Sequence, residues 1–144
     1  MRYAPLLIWA GVIFYLSGSG GSSLETSRFI RPLLEFLFPS ATPETLQSIH
    51  FAIRKFAHFA VYFVLGVAAS RAFAGGEKFR RYWPLYSLAV VIAIASLDEF
   101  HQSFEPERTS AVADVLIDLF GGATAVGVYA VAAALLGRGS RPQA

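Results

Sequence analysis

Long apolar runs separated by brief polar stretches set the pattern of this chain. Residues 3–18 form the first run, YAPLLIWAGVIFYLSG, ending in a Ser/Gly-rich stretch that does not continue a helix well. Further runs follow at residues 51–74, 83–98 and 111–136. A bilayer span needs roughly 20 apolar residues, so the last three fit and the first is short. The first run reads as a transmembrane helix. A signal peptide, with one positive charge and a short apolar core, is the alternative.

Between the first two runs, residues 25–38 alternate in a helical rhythm. Phe29, Ile30, Leu33, Leu34, Leu37 and Phe38 are apolar, while Arg28, Arg31 and Glu35 are polar. Pro32 stands where a helix would start and Pro39 where it would end. Thr42-Pro43-Glu44 reads as a second start, with Thr42 as cap and Pro43 in the first turn. Both pieces are expected to be short amphipathic helices lying at the membrane surface. The fold class expected is therefore an all-α membrane protein, a four-transmembrane-helix bundle with a short amphipathic segment between helices 1 and 2 on the outer face. One domain spans residues 1–136, and residues 137–144 form a flexible cytoplasmic tail.

Composition agrees with this. Of 144 residues, 55% are hydrophobic and 15% charged, against roughly 25% charged in soluble domains. The net charge of +2 is too small, and the basic residues too scattered, for a nucleic-acid partner. Without cysteine there is neither a disulfide framework nor thiolate chemistry. The bilayer is the expected partner; the sequence names no protein partner.

Charge also orients the chain. Arg2, Arg71, Lys78, Arg80, Arg81, Arg138 and Arg141 share one side with a single acid, Glu77. Arg28, Arg31, Arg54, Lys55 and Arg108 share the other with the remaining nine acids. The first side should be cytoplasmic, placing both termini inside. The start of the second span, the end of the third and the start of the fourth then converge on the outer leaflet.

Candidate chemistry gathers there. Residues 96–122 hold six of the ten acidic residues. Ionisable groups at membrane depth face a bundle interior or a wet cavity and tend to pair. Lys55, His58 and Tyr62 fall within roughly 60° on one helix face. Asp98 and Gln102 lie one turn apart, and Asp114, Asp118 and Gly121 share a stripe. The simplest arrangement sets Lys55 and Arg108 against some of Asp98, Glu99, Asp114 and Asp118, with His58 and Tyr62 donating hydrogen bonds. Glu105 and Glu107 read as solvated loop charges, and Arg54 as a side chain reaching for the interface. Gly66, Gly121, Gly122 and Gly127 read as sites of close helix packing. No phosphate-cradling Gly-rich loop, His-Glu-x-x-His pair or Gly-x-Ser-x-Gly elbow is present. The carboxylate and histidine spacings match no established metal motif, so neither metal nor other cofactor is expected.

The motifs Lys55-x-x-His58-x-x-x-Tyr62, Asp98-Glu99-x-x-Gln102-x-Phe104-x-Pro106-x-Arg108 and Asp114-x-x-x-Asp118-x-x-Gly121 together resemble the VanZ-like family of bacterial membrane proteins. The resemblance runs from the first span to the fourth. Asp118 departs from it, standing where the family more often has Asn. What the resemblance implies is a location, the envelope side of the bacterial cytoplasmic membrane, and a family named for a member implicated in teicoplanin resistance. An outward-facing polar site would then bind, and in one reading modify, a lipid-linked or peptidoglycan precursor or a lipid head group. Lys55, Tyr62, Gln102, Arg108, Asp114 and Asp118 are the binding candidates. Asp98 or Glu99 would act as general base with His58 as proton partner. A non-catalytic binder or partner-organising protein is the alternative, and a small transporter a more distant one.

Overall fold

The computed structural model describes residues 1–18, 23–104 and 112–138. These form five α-helices: α1 (Ala4–Ser17), α2 (Ser23–Leu37), α3 (Pro43–Ala74), α4 (Trp83–Gln102) and α5 (Val112–Arg138). The described residues contain no strand. Three helices, α3, α4 and residues Ala113–Leu136 of α5, are long and apolar enough to cross a membrane. The fourth apolar helix, α1, is shorter, with 14 residues.

Proline and caps fix the helix starts. Pro5 lies in the first turn of α1 and Pro84 in that of α4, where a missing N–H leaves no bond unmade. Thr42 caps α3 by accepting from Thr45 N at 3.3 Å, and Pro43 follows it. The expected helix start is thus correct, but not the separate surface helix. Nothing between Glu44 and Leu65 is Gly or Pro, so the helix runs on for 32 residues. At 1.5 Å per residue this is about 48 Å, well beyond the roughly 30 Å of hydrocarbon. Pro32 likewise does not open a helix: α2 begins at Ser23 and carries Pro32 inside it.

α3 is the central element. It packs most extensively on α5, then on α4 and α1, and α2 lies along its first turns. The α3–α5 approach depends on glycine. A Cβ at Gly66 would come within 2.7 Å of the Gly122 carbonyl oxygen and 2.8 Å of Ala125 Cβ. One at Gly121 would collide with the Phe59 carbonyl, and one at Gly122 with Val91 of α4. Gly127 has open space around it and plays no such part. The small side chains Ala69, Ala72, Ala95 and Ala125 are buried beside Leu65 and Val91, and α1 adds Leu6 and Ile13 to this core. The Trp9 indole donates to the Val61 carbonyl at 2.9 Å, fixing α1 on α3.

The distribution of polarity is inverted relative to a water-soluble bundle. Leu7, Leu85, Leu116, Phe120 and Leu135 are exposed, while Asp98, Gln102, Asp114 and Asp118 are buried. Lipid is the solvent that makes such a surface favourable and such an interior necessary.

Candidate functional site

Three helices bring the polar residues together in the bundle interior. From α3, Lys55, His58 and Tyr62 descend one face, as their spacing requires. From α5, Asp114 and Asp118 face them one turn apart. From α4, Asp98 and Gln102 complete the cluster, because α4 persists as helix to Gln102.

The pairing is orderly. Lys55 Nζ forms an ion pair with Asp114. His58 Nδ1 lies 3.1 Å from Asp118 Oδ1. Tyr62 donates its hydroxyl to Asp98 Oδ2 at 3.1 Å, and Gln102 Nε2 donates to that same oxygen at 3.0 Å. Successive turns of α3 therefore each meet one carboxylate. Asp98 Oδ1 is buried and has no hydrogen-bond partner among the described residues.

The chemistry follows from these contacts. Paired with an ionised Asp118, which only accepts, His58 carries its proton on Nδ1 and keeps Nε2 for proton exchange. Asp98 is held in place by two donors to one oxygen, while its second oxygen keeps full acceptor capacity. Lys55 is matched by Asp114, which offsets the cost of burying either charge.

A cavity of about 220 Å³ adjoins this cluster. His58, Tyr62, Asp98 and Gln102 line it together with Arg54, Thr26, Ser17 and the apolar Ile13, Leu16, Ala57 and Val61. Arg54 is thus a cavity residue, which its reading as a side chain reaching for the interface did not include. Its sequence signal is its spacing: Arg54, His58 and Val61 recur at i, i+4 and i+7, the rhythm of one helix face. Glu99 is half-buried and does not line this cavity. It sits one position, about 100°, around α4 from Asp98. Lys55, Asp114 and Asp118 do not line the cavity; Asp118 touches the lining residue His58, while Lys55 and Asp114 pair with each other. Arg108, Glu105 and Glu107 lie outside the described residues. Among the described residues no group of three or more His, Cys, Asp or Glu is arranged to hold a metal ion.

The opposite end of the bundle is basic. Arg2 lies beside Gly76, and Tyr3 packs edge-on against Phe73 with ring centroids 5.9 Å apart. At the other end of α1, Ser17 Oγ meets His101 Nδ1 at 3.4 Å. The start of α1 and the α3–α4 connection, which carries Lys78, Arg80 and Arg81, therefore share one end. The carboxylate cluster lies towards the other.

A bundle of long apolar helices around a charged interior defines a helical membrane protein. Comparison with protein families specifies it further: the chain belongs to the VanZ/LLP1 family, whose family model matches residues 3–133. No curated protein and no solved structure matches the chain.

Proposed function

We propose that this protein spans the bacterial cytoplasmic membrane four times, with both termini in the cytoplasm. Its polar site opens towards the envelope side and binds an anionic envelope component, a lipid-linked or peptidoglycan precursor. The basic end shared by Arg2, Lys78, Arg80 and Arg81 supports the orientation. At 14 residues, or about 21 Å, α1 crosses by local thinning of the bilayer and by the polar residues at its ends.

One observation carries the binding reading. Asp98 is 4% exposed, lines the cavity beside His58, and keeps Oδ1 unpartnered among the described residues. A buried acceptor without a partner costs roughly 1–3 kcal/mol, so its retention favours a ligand that brings a hydrogen-bond donor to Oδ1, with Arg54 in the same cavity wall to meet the ligand's negative charge. His58 and Asp98 face the same space, which also supports a proton-transfer step on the bound molecule. In that step Asp98 accepts a proton and His58 Nε2 exchanges one. A binder without chemistry would use the same residues for recognition alone.

The test uses purified full-length protein in liposomes with a radiolabelled lipid-linked peptidoglycan precursor. Saturable binding, lost in Asp98→Asn, supports the site. A labelled product that disappears in His58→Ala separates enzyme from binder. Binding unaffected by both variants contradicts the proposal. The resemblance extends it to a phenotype: cells lacking the protein become more sensitive to teicoplanin, measured as a lowered inhibitory concentration.

A further inference from the structure

A second cavity, of about 480 Å³, lies between α2 and the first turns of α3. Arg54 lines both this cavity and the inner one that holds His58 and Asp98. It forms no ion pair with any described residue. The other cations nearby are engaged: Arg31 pairs with Glu35 at 3.0 Å, and Lys55 with Asp114. Beside Arg54, one helical turn earlier, stands His50. Its Nδ1 meets Ser27 Oγ at 3.4 Å, while its Nε2 is buried without a hydrogen-bond partner among the described residues. In the tautomer in which the Ser27 hydroxyl donates to Nδ1, the ring hydrogen sits on Nε2, which becomes a donor. Gln47 adds an amide to the same wall. The one acid there, Glu44, is an exposed residue of the first turn of α3.

The geometry points to a phosphate-type oxyanion site in this cavity, anchored by Arg54 and His50. A guanidinium captures two phosphate oxygens at once, and the Nε2–H supplies a third donor. Lipid is the favoured carrier. α2 turns Phe29, Leu33 and Phe36 outward, at 78%, 55% and 82% exposure, the habit of a helix seated among headgroups. Arg54 then holds the phosphate at the mouth of the inner cavity, and the rest of the headgroup extends towards His58 and Asp98. This placement rests on the reading of an anionic envelope ligand and adds where its phosphate sits.

Native mass spectrometry of the full-length protein tests it, with phosphatidylglycerol as probe, diacylglycerol as the phosphate-free comparison and inorganic phosphate as competitor. The wild type is expected to retain phosphatidylglycerol over diacylglycerol. Arg54→Gln and His50→Ala are expected to lower that retention, Arg54→Gln by about tenfold, equivalent to roughly 1.4 kcal/mol. Arg54→Lys, which keeps the charge and loses the two-pronged geometry, falls between, and Arg71→Gln at the opposite end changes nothing. Displacement by millimolar phosphate identifies a free oxyanion as sufficient; its failure assigns the site to the lipid headgroup. Equal retention of the two lipids by the wild type, or unchanged retention in Arg54→Gln and Arg54→Lys, overturns the proposal. If the precursor assay fails while phosphatidylglycerol retention still depends on Arg54, the anion site stands and the envelope reading falls.

Discussion

The Tyr62 hydroxyl and Asp98 Oδ2 lie 3.1 Å apart and join α3 to α4 inside the bundle. Tyr62 is 1% exposed and Asp98 4%, so no bulk water substitutes for this bond. Tyr62→Phe leaves Oδ2 with Gln102 alone. Average interhelical hydrogen bonds in membranes are worth about 0.6 kcal/mol and the strongest about 1.7 kcal/mol; this acceptor is a buried carboxylate that keeps Gln102, so the cost should lie between those values. Unfolding by graded denaturing detergent is expected to show a loss in that range; a loss below about 0.3 kcal/mol contradicts the contact.

Lys55 and Asp114 should behave as a unit. Their side chains are 24% and 8% exposed, so removing one strands a partly buried charge on the other. Lys55→Met and Asp114→Asn are each expected to destabilise by about 1–3 kcal/mol, less than the 3–5 kcal/mol of a fully buried pair. The double variant should lose less than the sum, by at least about 0.5 kcal/mol in a double-mutant cycle. Additive losses would show that the two groups do not interact.

The glycines divide sharply. Gly66→Ala and Gly121→Ala put a methyl into the α3–α5 contact, with an expected cost of about 1–3 kcal/mol from overpacking. Gly127→Ala meets nothing within 4 Å and gains helix propensity, so it should be neutral or stabilising by up to about 1 kcal/mol. Thermal unfolding in detergent, run on all three, checks the order. Equal effects at positions 66 and 127 contradict the packing.

Much of this arrangement is legible in the sequence because helix geometry is local. Lys55, His58 and Tyr62 share a face by spacing alone, as do Asp114 and Asp118. Which carboxylate meets which α3 side chain is not legible. That depends on the rotation and depth of three helices, set by contacts such as Gly66 on Gly122 that link residues far apart in the chain. The eight residues from Pro43 to His50 look like a surface piece because their composition is polar, yet helical continuity from Pro43 to Ala74 overrides that local signal. The place of Arg54 in the cavity wall is hidden for a related reason. An arginine near a span end has an ordinary interfacial use, and only the placement of α2 over it creates the second cavity.

Orientation gives a further prediction. The chain has no native cysteine, so single cysteines at positions 20, 78 and 103 report cleanly. An impermeant maleimide applied to intact spheroplasts is expected to label positions 20 and 103 and to spare 78. Labelling of 78 alone would turn the polar site towards the cytoplasm and exclude an envelope ligand.

The central claim is that the interior polar site holds an anionic envelope molecule, and photo-crosslinking in living cells tests it most directly. A benzophenone amino acid replaces Val61, in the cavity wall, or Leu116, on the exposed face of α5. Irradiation followed by mass spectrometry of the adducts is expected to recover a lipid-linked, phosphate-bearing envelope precursor at position 61, absent at 116 and lost when Asp98→Asn is added. The same mixture of bulk phospholipids at both positions, unchanged by Asp98→Asn, would contradict the account.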